Sequence, residues 1–226
     1  MSITVASPDA HFRFESDHLD STDNDFETGV TFIGTDTYPD AKYGKGSLVE
    51  NGINFIVFSS TSDLTIWLVG RAFTVGFWAV VDNLSEDYGI GGIVVDEYSA
   101  DILCAQTTGV VAFNIDGTPI SFGTVVAGVP FHLAFSFDPG VPEITTFLNG
   151  VKVETLEIAD PGDLNTLLIG FAPEESVGFP GWIDDLRVYE GSATESRVAS
   201  MMSDLYAASV DGSSPGMVRT GLGIGL

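Results

Sequence analysis

The sequence predicts an all-β protein, an antiparallel sandwich or jelly roll, ending in a short helix and a Gly-rich tail. Three observations carry that expectation. Short runs of alternating apolar and polar residues recur at regular spacing, and Gly, Pro or Asp turns separate them. The composition is rich in turn and strand formers, with 26 Gly and 16 Phe among 226 residues. Helical spacing of apolar residues appears only near the C-terminus.

The elements follow in order. HFRF (11–14) alternates and reads as a first strand, and DSTDNDFETG (20–29) as an acidic loop. GSLVENGINFIVF (46–58) holds a strand after a Gly-rich turn. AFTVGFWAVVD (72–82) is the strongest strand of the chain. GIGGIVVDEY (89–98), DILCAQ (101–106) and GVVAFNID (109–116) form a meander. PFHLAFSFD (130–138) sets Phe131, Leu133, Phe135 and Phe137 on one face. ITTFLNGVKVETLEI (144–158) is a hairpin about Asn149-Gly150, a pair that favours the type I′ turn because both residues reach positive φ. NTLLIGF (165–171) and GWIDDLRVYE (181–190) supply two more strands. Then Val198, Met201, Met202 and Leu205 take helical spacing within 193–210, with Thr194 as a cap.

These boundaries divide the chain into a domain over 1–192, a helical segment over 193–210 packing on or beside it, and an arm over 211–226. The arm carries Met217, Val218, Leu222, Ile224 and Leu226 among glycines. No repeat of 20–50 residues interrupts this reading.

Charge narrows the function. The formal net charge is −24, from 32 acidic and 8 basic residues. Phosphate binding needs a basic footprint, so nucleic acid and anionic membranes are poor partners. No run is apolar and long enough for membrane insertion. Cys104 is alone, so no intrachain disulfide forms. The start, MSITVASPDAHF, lacks the basic and apolar regions of a signal peptide.

Three segments in order resemble one family. AFTVGFWAV, then FHLAFSFD with TTFLNGVKV, then LLIGF…FPGWIDDLRVY resemble the laminin-G-like branch of the concanavalin A-like lectin/glucanase superfamily. HFRFESDHLDSTDND resembles its opening strand and loop. The resemblance spans roughly residues 11–205 and implies a two-sheet antiparallel jelly-roll sandwich. It does not by itself imply a function, since such folds host many.

Catalytic sets are sparse. Glucanases of this superfamily carry Glu-x-Asp-x-x-Glu on one strand, because retaining hydrolysis needs two close carboxylates. The nearest pieces, Val95-Asp96-Glu97-Tyr98 and Glu154-Thr155-Leu156-Glu157, lack the spacing. The histidines are His11, His18 and His132. There is no Gly-x-Ser-x-Gly and no His-Glu-x-x-His. Cys104 in an apolar strand reads as a small buried hydrophobe. A non-enzyme is expected.

GWIDDLRVYE poses the sharpest question, because neither parity of this strand gives a clean apolar face. A bulge or loop contact near Asp184 and Asp185 resolves it. The resemblance implies an acidic residue after the isoleucine, here Asp184. Two readings stand. In one, Asp184 accepts loop N–H groups or pairs with Arg13 or Arg187. In the other it joins Asp17, Asp20, Asp23 and Asp25 around a structural calcium, which takes six to eight oxygens. The loop is not an EF-hand, since counting from Asp23 the sixth residue is Thr28 and the twelfth Gly34.

Among aromatics, Trp78 has the opposite parity to Phe73, Val75 and Phe77, so it faces away from the core. There it either stacks on a sugar or lies under a loop. His132 reads as a surface or cleft residue that contacts ligand in the sugar-binding reading. Trp182 and Trp67 are weaker candidates.

Two functions from different classes follow. One is a structural protein of a virus particle, such as a phage head-decoration or tail component. It would be made in the host cytoplasm and bind other virion proteins or copies of itself through the arm. The other is an extracellular carbohydrate-binding module or adhesin for cell-surface glycan. A divergent glycoside hydrolase is a minor third.

Overall fold

Alternation decides which face of each strand meets the core, and burial in the computed structural model follows it. It describes residues 8, 10–12, 26, 30–33, 40–41, 44–45, 47–49, 55–85, 87–95, 99–104, 108–115, 117–158, 164–170 and 180–202. In chain order these form β1 (Ala10–Phe12), β2 (Val30–Ile33), β3 (Asp40–Ala41), β4 (Gly44–Lys45), β5 (Ser47–Val49), β6 (Phe55–Phe58), α1 (Asp63–Leu68), β7 (Phe73–Val81) and β8 (Tyr88–Val95). There follow β9 (Ser99–Cys104), β10 (Val110–Ile115), β11 (Thr118–Thr124), β12 (Phe131–Asp138), β13 (Glu143–Leu148), β14 (Val151–Glu157), β15 (Leu164–Ile169), β16 (Gly181–Glu190) and α2 (Glu195–Met201).

The strands build two seven-stranded antiparallel sheets, as a jelly-roll sandwich requires. The first runs β1-β16-β7-β12-β13-β14, with β5 beside β1 on the same edge of β16. The second runs β11-β10-β9-β8-β15-β6-β2. Strands β3 and β4 pair separately.

The core fills the space between the sheets. Phe131, Leu133, Phe135 and Phe137 all lie in it, as their alternation predicts. Phe113 of the second sheet meets Phe135 of the first edge to face at 5.0 Å. Phe58 meets Phe12 in the same way at 5.1 Å. The hairpin turn has φ of 50° at Asn149 and 83° at Gly150, the backbone that a type I′ turn demands. The end strand β11 is closed by side chains. The Ser121 N–H donates to Glu154 Oε2 at 2.7 Å, and its carbonyl accepts from Thr146 Oγ1 at 2.6 Å.

Some elements differ from expectation. Residues 46–58 hold two strands, β5 and β6, instead of one. Strand β11 and helix α1 were not read from the sequence. Helix α1 begins at Ser62, whose Oγ accepts from the Thr65 N–H at 3.1 Å. Thr65, Ile66 and Trp67 favour strands locally, so buried Leu64 and Leu68 decide the outcome. Helix α2 is capped by Thr194 as expected, accepting from the Arg197 N–H. It is described to Met201, and the remainder of 193–210 and the arm residues Met217, Val218, Leu222, Ile224 and Leu226 lie outside the described residues.

Gly181 opens β16 for a steric reason. A Cβ there would sit 1.8 Å from the Val80 carbonyl oxygen. Gly181→Ala is expected to destabilise the fold by about 2–3 kcal/mol, the cost of overpacking. A urea midpoint unchanged from wild type would refute this.

Candidate functional site

The two aspartates of β16 sit at a β-bulge. Ile183 pairs with Ala79 and Asp184 with Trp78, but the next partner, Gly76, pairs with Arg187. The strand therefore spends one extra residue, and Asp185 takes a φ of 56°, a region that Asp tolerates better than most residues. The shift puts Ile183, Leu186 and Val188 all in the core. Trp182 and Asp184 before the bulge, and Arg187 and Tyr189 after it, lie on the outer face.

Asp185 anchors a buried ion cluster. Its Oδ1 accepts from Arg187 Nε at 3.0 Å, and Arg187 Nη2 lies 2.8 Å from Oδ2. His11 Nε2 lies 2.5 Å from Oδ1. Arg187 is 0% exposed, and His11 is buried with it. This guanidinium–carboxylate pair offsets much of the cost of burying both charges. It also ties the short edge strand β1 to β16. Asp185, the neighbour of Asp184, is thus an aspartate paired with Arg187. Asp184 is itself buried, and Arg13 lies outside the described residues.

Beside the cluster, Asp184, Trp78 and His132 fall in one row across β16, β7 and β12. Asn149 closes it, accepting from the His132 N–H at 2.9 Å and donating its own N–H to the His132 carbonyl. Trp78 and His132 meet edge to face at 5.4 Å. His132 is 1% exposed and Trp78 is 6% exposed. The structure therefore corrects His132 from a surface or cleft residue to an interior one. Burial lowers its pKa to about 3; Asp185 opposes that shift and Arg187 adds to it. The ring is neutral, and its Nδ1 has no hydrogen-bond partner among the described residues.

Helix α2 explains part of this enclosure. It lies on the outer face, where Val198 and Met201 pack with Ala134, Phe147 and Tyr189 in a second small core. Gly76 makes the room, since a Cβ there would fall 2.5 Å from Met201 Cε and 3.0 Å from His132 Cε1. Trp78, His132 and Trp182, singled out separately from the sequence, thus share one face of one sheet. Only Trp182 of the three is partly exposed. That face presents Trp78 to protein, not as an open stacking platform.

Asp17, Asp20, Asp23 and Asp25, the other proposed calcium ligands, lie outside the described residues. Among the described residues no three His, Cys, Asp or Glu side chains are grouped to hold a metal. Asp96 and Glu97 also lie outside the description, and Glu154 is engaged with Ser121. The side chain of Cys104 is not among those described.

The described aromatic side chains that reach solvent are Trp67 and Trp182. Trp67 leans on Phe26 at 5.3 Å, and the Arg71 guanidinium lies 5.4 Å from its ring centroid. Arg71 Nη1 donates to Glu190 Oε2 at 3.1 Å. Sequence reasoning missed Arg71 and Glu190, which are 119 residues apart and joined only by the fold.

Comparison with known proteins agrees with this architecture. A laminin-G-type family model, described as concanavalin A-like lectin/glucanases superfamily, matches residues 51–199, more than half of the chain. No curated protein matches the chain. Among solved structures, domain 4 of AbnA, a GH43 extracellular arabinanase from Geobacillus stearothermophilus, in complex with arabinotriose, is similar with a TM-score of 0.67 and 24% identity. The match covers 88% of this chain and 99% of that one. The binding domain of botulinum neurotoxin DC, in complex with rat synaptotagmin II, has a TM-score of 0.64 at 10% identity, over 85% of this chain and 50% of that one. The binding domain of Paraclostridial Mosquitocidal Protein 1 has a TM-score of 0.64 at 14% identity, over 84% and 50%. The chain thus corresponds to about half of each toxin binding domain.

Two predictions follow from the buried polar groups. Asp185→Asn keeps a residue tolerant of positive φ but removes the buried carboxylate charge that faces Arg187, and is expected to cost about 3–5 kcal/mol in urea unfolding; an unchanged midpoint would show that the pair carries no weight. His132 is held neutral when folded but binds a proton below pH 6.5 when unfolded, so its contribution to stability is full above that pH. Stability is expected to fall on the order of 1 kcal/mol per pH unit as the pH drops from 6.5 toward 3, and less steeply in His132→Gln. Parallel slopes for the two proteins would contradict the assignment.

Proposed function

The chain belongs to the concanavalin A-like lectin/glucanase superfamily, and we propose that it acts as a non-enzymatic carbohydrate-binding domain. The observation that carries the reading is the pair of solvent-reaching indoles, Trp67 and Trp182, on a sandwich of this family. An indole face is apolar and electron-rich, which suits the C–H face of a sugar ring. The resemblance in fold to an arabinanase domain solved with arabinotriose supports the same reading. The absence of a paired-carboxylate strand in the sequence supports a binding role without hydrolysis.

The net charge of −24 favours neutral over acidic glycans, because polyanions are repelled. Extracellular glycan is the natural target, and the acidic 17–25 segment is the place to look for a structural calcium. No described helix is long and apolar enough to cross a membrane.

Assembly into a virus particle, as a phage head-decoration or tail component in the virion, is the second reading. It is favoured by helix α2, which seats the start of the C-terminal segment on the outer face of the first sheet. The apolar arm residues Met217, Val218, Leu222, Ile224 and Leu226 would then contact other virion proteins or further copies. Cutting at Ser192 would strip Val198 and Met201 from Phe147 and Tyr189, so the informative truncation ends at Met202.

Arabinotriose titrated into the full chain is expected to give saturable heat and to be recovered intact. Release of shorter sugars would contradict a binding role, and no heat with any neutral oligosaccharide would contradict carbohydrate recognition. In light scattering, an oligomer lost on truncation at Met202 would favour the assembly reading instead.

A further inference from the structure

The surface around helix α1 has a composition that the buried outer face lacks. Trp67 is partly exposed, with Ile66 beside it 57% exposed and Val69 also exposed. Gly70 follows with a φ of 68°, and a Cβ there would meet nothing within 4 Å. Next comes Arg71, whose side chain is 45% exposed, paired with Glu190, which is 50% exposed. An apolar aromatic surface thus adjoins a half-exposed donor–acceptor pair.

We propose that Trp67, Arg71 and Glu190 form a binding site for a neutral oligosaccharide, an inference that rests on the carbohydrate-binding reading above. Each group has a role that its chemistry dictates. Ile66 and the part of the Trp67 indole that reaches solvent supply an apolar surface beside Arg71 for the C–H groups of a pyranose or furanose ring. The Arg71 guanidinium carries five N–H donors in a planar fork and, among the described residues, makes one side-chain hydrogen bond, to Glu190. Its remaining donors suit a pair of adjacent hydroxyl oxygens, and the Glu190 carboxylate suits hydroxyl protons.

The surroundings pre-position this fork. Its stacking over Trp67 and its ion pair with Glu190 hold it from two sides. Arg71 also donates its backbone N–H to the Leu68 carbonyl at 3.0 Å, fixing it at the end of the helix. Preorganised polar groups lose less entropy when they bind. Because Glu190 neutralises Arg71, a carboxylated sugar gains no net charge attraction here, and the overall charge of −24 repels it.

The test is calorimetric titration of the full chain with arabinotriose, cellotriose and maltotriose, and with trigalacturonate as the acidic control. At least one neutral triose is expected to bind, and trigalacturonate is expected not to. Trp67→Ala and Arg71→Ala are each expected to weaken the neutral sugar roughly tenfold or more. Trp67 packs partly on the core, so Arg71→Ala, at an exposed position, keeps the test decisive if Trp67→Ala fails to fold. Binding that survives Arg71→Ala but is lost in Trp182→Ala would overturn this site while leaving the carbohydrate-binding reading intact. Absence of binding by every neutral sugar would overturn both, and preferential binding of trigalacturonate would overturn the neutral class.

Discussion

One extra residue in β16 sets the register on which the first sheet depends. Strand side chains alternate strictly, so a slip of one position exchanges core and solvent faces. Without the bulge at Asp184–Asp185, Ile183 and Leu186 would point to opposite sides. With it, both enter the core together with Val188. The displaced Asp185 then needs partners in a buried place, and Arg187 and His11 supply them. Register, burial and the ion cluster are therefore one device. A buried pair of this kind is weak evidence for net stability but costly to break on one side.

The same device shapes the functional surface. Arg187 and Tyr189 emerge on the outer face, where α2 covers Ala134 and Phe147. Gly76 keeps the floor low enough for Met201 to seat against it. The closed state of that face leaves His132 neutral and Trp78 enclosed. In the proposed reading a ligand meets the rims instead, at Trp182 or at the α1 surface. Charge points the same way, since a protein with a net charge of −24 favours uncharged partners or cationic ones.

Much of the fold was legible because period-2 patterns are long in β7, β12 and the β13–β14 hairpin. The Asn149-Gly150 turn and the Thr194 cap were legible because each has a specific local chemistry. The bulge was legible as a conflict of parity at Asp184 and Asp185. Helix α1 was not, because Thr65-Ile66-Trp67 favours a strand and tertiary burial of Leu64 and Leu68 overrides it. The enclosure of His132 was not, because no local signal says that a distant helix will lie over its sheet. The Trp67–Arg71–Glu190 grouping was not, because Glu190 reaches Arg71 only through the pairing of β16 with β7.

The central claim is that solvent-reaching tryptophans, and not the buried Trp78, meet the ligand. The chain has three tryptophans, so a nitrogen-15 correlation spectrum carries three indole N–H signals to follow during titration with a neutral oligosaccharide. The account predicts that the Trp67 signal moves in a saturable way while that of Trp78 stays in place. A shift confined to Trp78, or no indole shift at saturating sugar, would contradict it.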